Sequence, residues 1–495
     1  MSVAADCNFA GRLTGRLGRH SFLIDAATGQ TILPDQLPGL IAGYARGFSA
    51  AGLSPGDRVL IGAALSPSSG LAYLGAMFAG LVIVPVEERS LAAAGADLAK
   101  ATGAKAVWTE QSFNWKWTQE LPVLQLNGDL TGGTGETMSP VARDDSDLAA
   151  LMATSGSTGV PRFLRITHGN LIANTEAIIR SQHLRDEERA MLILPLSYCF
   201  GASVFHTHLY QGGGVVFDRR FMFPDKVLQA INQHDCTTFA GVPTVYHALL
   251  HRSKARTTAL PKLRRLLQAG GPLAEHLIKE ICQALPTAQL YVMYGQTEAT
   301  ARIACLDPAR LEDKLGSVGR PLDNLTIRIT NERGEEVPQG EVGEIWVKGP
   351  SISQGYHNDP AESARTFKDG WLRTGDLARM DDDGYLWIQG RLGSFVKMRG
   401  TRVSFTEAEA RVMAMPEVFE CAATGTAHPE SGEALVLFVV PREGAKLALE
   451  DIRRHLPAHW ALAAVHFVAE LPKNTHGKIS RAALNAQSRP DHEPA

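Results

Sequence analysis

A run of hydroxyl and glycine residues near residue 155 has the composition of a loop that binds phosphate. Residues 155–159 read Ser-Gly-Ser-Thr-Gly and come after the apolar segment 148–152. Glycine lets backbone N–H groups converge on a bound group, and hydroxyl groups add hydrogen-bond donors for oxyanions. The run lacks the G-x-x-x-x-G-K-[ST] pattern of a Walker loop, and taken alone it also fits a solvated turn. Motifs later in the chain favour the phosphate loop over the turn.

Five further segments combine carboxylates, cations, hydroxyl groups and glycines at short spacing. They are Met-Tyr-Gly-Gln-Thr-Glu at 293–298, Trp-Leu-Arg-Thr-Gly-Asp at 371–376, Gly-Tyr-Leu-Trp-Ile-Gln-Gly-Arg at 384–391, Val-Lys-Met-Arg-Gly-Thr-Arg at 396–402 and Leu-Pro-Lys-Asn-Thr-His-Gly-Lys-Ile-Ser-Arg at 471–481. In this order they resemble the AMP-forming adenylating enzymes: acyl-CoA synthetases, adenylation domains of peptide synthetases and firefly-type luciferases. The chain looks most like standalone acyl-CoA or acyl-carrier-protein ligases, and the resemblance extends from about residue 40 to residue 484.

The resemblance implies a reaction in two halves that uses ATP and Mg²⁺. A carboxylate attacks the α-phosphorus of ATP to give an acyl-adenylate and pyrophosphate, and a thiol then displaces AMP. Because the first half joins anions, positioning and charge neutralisation do most of the catalysis. Such a site needs hydrogen-bond donors, cations and one metal site, but no protein nucleophile.

The resemblance also assigns residues to the nucleotide. The β- and γ-phosphates would be held by Thr154, Ser155, Gly156, Ser157, Thr158 and Gly159. The adenine side would be formed by Gly270, Gly271, Pro272 and Tyr294, and Gln296 would also bind the nucleotide. For the segment at 269–272 a helix-capping turn is the alternative. Asp376 would accept hydrogen bonds from both ribose hydroxyl groups, and Arg391 would either reach the ribose or form a structural salt bridge.

Three residues would act on the reacting groups, according to the same resemblance. Thr297 would contact the α-phosphate, and Glu298 would hold Mg²⁺, a hard cation that prefers carboxylate oxygen. Lys478 would be the catalytic cation, because a flexible ammonium group can bridge the carboxylate and the α-phosphate. Gly295 would lie where the acyl group and the nucleotide meet.

The family pattern predicts an N-terminal adenylate-forming domain at 1–390 and a mobile C-terminal domain at 391–495, with a disordered tail at 488–495. After adenylation the C-terminal domain would rotate near 391–394, and Lys478 would leave the site. The loop 396–402 would then line a tunnel for the thiol, with Gly400 beside the incoming pantetheine.

The chain departs from the family pattern at two places. Pro161 is followed by Arg162 and Phe163 where the family usually has Lys-Gly, which keeps the charge but puts the local turn in doubt. Gly393 replaces the usual aspartate of the hinge, which should permit rotation but loses a side chain that could hold one orientation. We expect activity to survive both changes.

The predicted acyl pocket contains no acidic side chain. Residues 191–216 lack Asp and Glu, so the ammonium group of an α-amino acid would stay unpaired in an apolar pocket. This disfavours amino acids and favours a fatty, aryl or hydroxy acid. The candidate lining residues are Tyr198, Phe239, Gly241, Val242, Pro243 and Gly295. For Tyr198, and for the segment 239–243, ordinary core packing is the alternative.

Composition fits a cytoplasmic globular protein. The chain has 495 residues, of which 44% are hydrophobic, and a net charge of −3, which excludes bulk attraction to nucleic acid or an anionic membrane. Six dispersed cysteines without a C-x-x-C pair fit a reducing compartment, and the N-terminus lacks the apolar run of a signal peptide. The uncharged stretch 59–86 is split at 67–70 by Pro-Ser-Ser-Gly, which favours a buried strand, helix and strand over a membrane span.

Hydrophobic periodicity predicts an α/β fold. Predicted strands include 59–61, 81–86, 105–109, 191–194, 214–218, 237–240 and 289–293, and helices alternate with them. This alternation of strands and helices indicates mainly parallel sheets covered by helices. Strands at 325–329, 342–348 and 385–389 indicate a smaller β-rich unit, and beyond residue 391 strands and helices mix again as an α+β unit.

The sequence therefore predicts an AMP-forming ligase that joins a carboxylic acid to the thiol of CoA or of a separate carrier protein. A luciferase-like oxygenase that uses the same adenylate is one alternative. A nucleotide-binding homologue that has lost catalysis is the other, favoured by Arg162 and Gly393 and opposed by Glu298, Asp376 and Lys478.

Overall fold

The computed structural model describes residues 7–110, 121–124, 138–154, 161–399, 401–473 and 479–487. The described helices are α1 (Phe9–Thr14), α2 (Leu37–Ala50), α3 (Pro67–Phe78), α4 (Glu88–Thr102), α5 (His168–Gln182), α6 (Cys199–Tyr210), α7 (Pro224–Gln233), α8 (Pro243–His251), α9 (Glu275–Ala284), α10 (Pro360–Thr366), α11 (Phe405–Met413), α12 (Leu449–His455) and α13 (Arg481–Gln487).

The first sheet is built from apolar strands of the N-terminal region. Its strands, in order across the sheet, are β6 (Val123–Leu124), β5 (Ala104–Trp108), β3 (Arg58–Gly62), β4 (Val82–Val86), β7 (Leu148–Thr154) and β8 (Arg162–Thr167). All neighbours pair in parallel except β7 and β8. In the sequence, the hydroxyl-rich run 155–159 lies between these two antiparallel strands.

The second sheet places the carboxyl ends of six neighbouring parallel strands side by side. Across the sheet the strands are β15 (Arg320–Pro321), β14 (Ala304–Cys305), β13 (Gln289–Tyr294), β12 (Arg265–Gln268), β11 (Thr238–Gly241), β9 (Arg189–Leu192), β10 (Gly214–Phe217), β1 (Leu23–Asp25) and β2 (Thr31–Ile32). Pairing is parallel from β13 through β1. Segments that come after such ends meet at one edge of the sheet, where open α/β sheets bind ligands.

Two smaller sheets are formed by later parts of the chain. The third contains β16 (Thr326–Thr330), β17 (Gly343–Lys348), β18 (Phe367–Lys368), β19 (Trp371–Met380) and β20 (Leu386–Arg391), all paired antiparallel. The fourth contains β21 (Phe395–Met398), β22 (Thr401–Ser404), β23 (Val418–His428), β24 (Gly432–Pro441) and β25 (Leu462–Phe467). The predicted α/β class, the small β-rich unit and the α+β C-terminal part are confirmed, whereas the domain boundary at 390/391 stays a prediction.

Helix α3 explains the uncharged stretch 59–86. It packs against β3 and β4 of the first sheet and β1 of the second, so its apolar side chains are buried from both sides. The predicted strand, helix and strand are confirmed as β3, α3 and β4. The helix begins earlier than predicted, because Pro67 occupies its first turn and the Ser66 hydroxyl accepts a hydrogen bond from Ser69 N at 3.2 Å. No helix among the described residues is long and apolar enough to cross a membrane.

Candidate active site

Asp376 joins three segments that lie far apart in the sequence. The Tyr294 hydroxyl, at the end of β13, donates to Asp376 Oδ2 at 2.6 Å, and Arg391 Nε donates to Oδ1 at 2.8 Å. Asp376 and Arg391 are register partners on β19 and β20, and Asp376 is 7% exposed. Burial and the charge of Asp376 raise the pKa of Tyr294 well above its ordinary value, and the same charge raises the pKa of Arg391. Tyr294 thus stays a neutral donor, and Arg391 stays a cation.

The backbone before Asp376 is held by polar contacts within the third sheet. The Thr374 hydroxyl donates to the Ile345 carbonyl at 2.8 Å and accepts from Asp376 N at 3.1 Å. Glu344 accepts from Gly375 N at 3.2 Å. The carboxylate therefore projects from a strand, although the sequence placed the motif only after a polar turn.

The turn after β13 depends on a close backbone contact at Gly295. A Cβ atom at Gly295 would lie 1.9 Å from the Ala301 carbonyl oxygen, so no other residue fits there without movement of the backbone. A short 3₁₀ helix, Thr297–Ala299, comes next, and Thr300 adopts φ +69° with its hydroxyl donating to the Ser351 carbonyl at 2.6 Å. This turn carries Thr297, whose hydroxyl lies 3.4 Å from Cys199 Sγ.

Glu298 is fixed from two sides by the segment 353–356. The Tyr356 hydroxyl donates to Glu298 Oε1 at 2.7 Å, and Ser353 N donates to the Glu298 carbonyl at 2.9 Å. Burial first, and then the charge of Glu298, raise the pKa of Tyr356, so its hydroxyl stays a donor. No sequence motif marked Tyr356, and nothing in the local sequence signals its role.

The residues around Glu298 fit a nucleotide-bound Mg²⁺ better than a metal held by protein alone. The described residues contain no group of three or more His, Cys, Asp or Glu side chains that could hold a metal. Mg²⁺ is usually bound by one or two carboxylates together with substrate phosphates. Gln296 Nε2 is buried without a hydrogen-bond partner in the described part of the chain, which leaves a donor beside Glu298 for a bound nucleotide.

Tyr198, Val242 and Gly270 meet at the carboxyl ends of β9, β11 and β12. Gly270 adopts φ +88°, and a Cβ atom there would lie 2.4 Å from the Tyr198 hydroxyl and 3.0 Å from Val242 Cγ1. Gly271 O accepts from Gln268 Nε2 at 2.9 Å. The segment 269–272 comes after a strand and ends before Ala274, the N-cap of α9, so the helix-capping alternative is wrong.

Phe239 and Gly241 are surrounded by core residues. The Phe239 ring is fully buried and packs against the rings of Phe221 and Tyr246 at centroid distances of 6.5 and 6.0 Å. A Cβ atom at Gly241 would lie 2.5 Å from Val245 Cγ1. These contacts match the core-packing alternative for both residues, and their role as pocket lining stays a prediction.

Arg162 and Phe163 differ from what the sequence suggested. Phe163 is 3% exposed and pairs with Ala153 inside the β7–β8 hairpin, so the position is a strand and needs no glycine turn. The Arg162 guanidinium lies 3.3 Å from a Glu362 oxygen and 3.7 Å from an Asp359 oxygen. Its charge is therefore shared with acidic side chains at the start of α10.

Several predicted residues cannot be placed. Residues 155–159, Gly400, Lys478 and the whole predicted tail at 488–495 lie outside the described part of the chain. Thr154 ends β7, where its hydroxyl lies 3.4 Å from the Arg162 carbonyl. Gly393, in the predicted hinge, adopts φ +82° in open space. The roles assigned to these residues stay predictions.

Comparison with known proteins gives consistent similarities over nearly the whole chain. The AMP-binding enzyme family matches residues 22–357, and the AMP-binding enzyme C-terminal domain matches 407–478. Feruloyl-CoA synthase of Amycolatopsis sp is 33% identical over 458 residues, which cover 90% of this chain and 91% of the relative. 4-Coumarate–CoA ligase-like 3 of Oryza sativa subsp. japonica is 32% identical, covering 93% and 85%.

Solved structures show the same similarity in three dimensions. ATP-bound MatB from Rhodopseudomonas palustris superposes with a TM-score of 0.88 at 27% identity, covering 97% of this chain and 99% of that one. o-Succinylbenzoate CoA synthetase (MenE) from Bacillus subtilis, in complex with its acyl-adenylate intermediate, has a TM-score of 0.85 at 25% identity, covering 96% and 97%.

Proposed function

The chain belongs to the AMP-binding enzyme family as an AMP-forming acid–thiol ligase, and from this premise we propose how its residues activate the acid and which acceptor it uses. The observation that supports the proposal most directly is the cluster of Tyr294, Asp376 and Arg391. It brings three motifs to one carboxylate beside the turn that carries Glu298. The two relatives named above form CoA thioesters by name, which favours the ligase over the oxygenase and the non-catalytic alternative.

In the proposed complex ATP lies along the carboxyl ends of β12 and β13. Asp376 accepts hydrogen bonds from the ribose hydroxyl groups, and Tyr294 and Arg391 hold its carboxylate in place. The segment 270–272 borders the adenine, with Gln296 assigned to the same nucleotide site. This arrangement agrees with the strand order of the second sheet, in which β12 and β13 are neighbours.

Charge neutralisation is the main catalytic contribution that we propose. Glu298, oriented by Tyr356, would bind Mg²⁺, which would neutralise phosphate charge as pyrophosphate leaves. Thr297 would donate to the α-phosphate, and the loop 154–159 would hold the β- and γ-phosphates. Lys478 would bridge the attacking carboxylate and the α-phosphate. This contact raises the rate only if the ammonium group interacts more strongly with the transition state than with the ground state.

The thiol step requires the C-terminal part of the chain to move. In the described arrangement it contacts α8: the Phe419 ring packs edge-on against His247 at a centroid distance of 4.3 Å, and Arg442 Nη1 lies 3.4 Å from His251 Nδ1. We propose that this contact opens when the chain turns near Gly393, and that the loop 396–402 then reaches the thiol.

CoA is the acceptor that we propose, because the curated relatives are CoA ligases. A carboxylic acid other than an α-amino acid is the proposed substrate, since residues 191–216 contain no carboxylate to pair with an ammonium group. A phosphopantetheine carrier protein is the competing acceptor.

Two assays test the proposal in sequence. ATP–pyrophosphate exchange is measured with Mg²⁺ over a panel of fatty, aryl, hydroxy and α-amino acids, and exchange is expected with at least one acid that is not an α-amino acid. The active acid is then offered CoA or a phosphopantetheinylated carrier, and thioester formation is detected by mass. Folded protein that binds ATP yet exchanges with no acid would refute the function, and transfer to the carrier alone would refute the acceptor.

A further inference from the structure

Arg302 is a buried arginine whose charge no described side chain neutralises. The residue is 2% exposed, and its Nε and Nη1 atoms are buried without a hydrogen-bond partner in the described structure. Its backbone is fixed, because Arg302 N donates to Asn174 Oδ1 at 3.3 Å and Asn174 Nδ2 donates to the Arg302 carbonyl at 3.0 Å. Buried guanidinium groups are normally paired, since taking an unpaired charge out of water is costly.

The surroundings of Arg302 compensate this charge only in part. The guanidinium carbon lies 5.0 Å from the centroid of the Phe200 ring, a cation–π distance. Burial lowers the pKa of Arg302 from its ordinary value, as expected for a cation without a carboxylate partner. A residue that served only the core would be replaced at lower cost by an apolar side chain of similar volume.

Arg302 also lies next to the positive end of a helix. Phe200 is in the first turn of α6, a helix of 12 residues with no acidic residue in its first turn. The N-terminal end of such a helix carries a partial positive charge and attracts anions. A buried cation and a helix N-terminus thus face the same region, and residues 191–216 supply no acid to it.

This region adjoins the proposed reaction centre. Arg302 follows Ala301, whose carbonyl oxygen lies close to Gly295. On the same turn, the Thr297 hydroxyl lies 3.4 Å from the sulfur of Cys199, the first residue of α6. A small cavity between this turn and α6 is lined by Cys199, Ser203, Thr300 and Ala301, the residue before Arg302. We place the acyl group there, with its far end towards the guanidinium group.

We propose that Arg302 binds a second carboxylate of the acid substrate, so that the enzyme activates diacids at one end. The inference rests on the proposed ligase function. An uncharged acyl chain would leave the guanidinium group unpaired, whereas a distal carboxylate would pair with it and with the positive end of α6. Arg302 would act through substrate specificity and would take no part in bond making.

The test compares matched acids in ATP–pyrophosphate exchange. The α,ω-diacids from malonic to suberic acid, and the benzenedicarboxylic acids, are each measured against their monomethyl esters with wild type, Arg302→Met and Arg302→Lys. Wild type is expected to prefer the best diacid over its monoester by about 10- to 100-fold in kcat/KM, the range given by a charge-assisted pair out of water. In Arg302→Met the ratio should fall to near one, and in Arg302→Lys part of it should return. Arg328→Met, which removes an arginine stacked on Trp371 at 4.4 Å outside the site, should keep the wild-type ratio.

Thermal unfolding separates this role from a structural one. Because no hydrogen bond of Nε or Nη1 is lost, Arg302→Met should unfold no lower than wild type. A wild-type enzyme that exchanges with monoacids but shows no preference for any diacid overturns the inference and leaves the ligase function standing. Equal loss for diacid and monoester in Arg302→Met also overturns it, because Arg302 would then bind the reacting carboxylate. If no acid of either kind supports exchange, the proposed function itself fails. If Arg302→Met does not fold, the test rests on the ratio of diacid to monoester kcat/KM in wild type and on its decrease in Arg302→Lys.

Discussion

Replacing Tyr356 by phenylalanine removes one hydroxyl group from the proposed Mg²⁺ site and changes little else. The main lost contact is the hydrogen bond to Glu298 Oε1 at 2.7 Å, and a weaker one with the Thr366 side chain is lost with it. Hydrogen bonds to charged groups contribute about 1.5–3 kcal/mol. Because Tyr356 is only partly buried, we take about 1.5 kcal/mol, which corresponds to roughly a 10-fold change in an equilibrium constant.

The expected result is a loss of about 10-fold in kcat/KM for ATP, with a shift of the Mg²⁺ dependence to higher concentration. Steady-state exchange at several Mg²⁺ concentrations measures both. Excess Mg²⁺ should restore part of the rate, because the weakened step is metal binding by a less well oriented Glu298.

Tyr210→Phe is a matched control, because the Tyr210 hydroxyl donates to Glu176 Oε1 at the same 2.7 Å in another part of the molecule. Both variants should lose similar thermal stability, and only Tyr356→Phe should change the kinetics. Identical kinetics in the two variants, or a loss in Tyr356→Phe that Mg²⁺ does not alter, would refute the assignment of Glu298 as the metal ligand.

Three further outcomes are expected. Gly295→Ala should abolish exchange and lower the melting temperature, because its Cβ would lie 1.9 Å from the Ala301 carbonyl oxygen. The control Gly39→Ala, whose Cβ would lie in open space on α2, should retain activity. An active Gly295→Ala enzyme would contradict the geometry. Lys478→Ala should abolish adenylation but largely spare thioester formation from supplied acyl-adenylate, and equal loss in both half-reactions would argue against domain alternation. Burial lowers the pKa of His247 to about 3. Below pH 6.5 the unfolded chain therefore binds a proton at this residue that the folded chain does not bind, and the free energy of unfolding decreases as the pH is lowered. Between pH 7 and pH 5, the free energy of unfolding of wild type should therefore decrease by about 2 kcal/mol more than that of His247→Phe, as measured by urea titration. Equal decreases in the two proteins would show that His247 is not responsible for the pH dependence.

Periodicity and motif order are enough to predict the fold class and the sheet-by-helix architecture. The strands at 59–61 and 289–293 are predicted within a few residues because both are apolar runs between turn residues. The start of α3 escapes prediction, because Pro-Ser-Ser-Gly has the composition of a turn and becomes helical only when Ser66 caps it and both large sheets cover it. Strand β19 escapes it too, since polar residues interrupt its apolar pattern.

The candidate site is predictable where short motifs carry its residues, as at 293–298 and 371–376. Tyr356 cannot be found this way, because its contact with Glu298 spans 58 positions and depends on a backbone bridge between Tyr356 and Leu164 of β8. Arg302 escapes prediction for a related reason: an arginine in the sequence is assumed to be exposed, and only the packing of α5 and α6 around it shows that it is buried.

Arg391 is both the last residue of β20 and the partner of Asp376, and only Leu392 separates it from Gly393. Leu392 N donates to the Gly375 carbonyl at 2.7 Å, so the chain is anchored to the sheet up to the residue before the glycine. A rotation at Gly393 would then start next to Asp376, the carboxylate proposed to bind the ribose. In the proposed reaction, the C-terminal part of the chain would rotate through a large angle while the acyl-adenylate stayed bound at Asp376. The intermediate would then not need to be released and bound again between the two half-reactions.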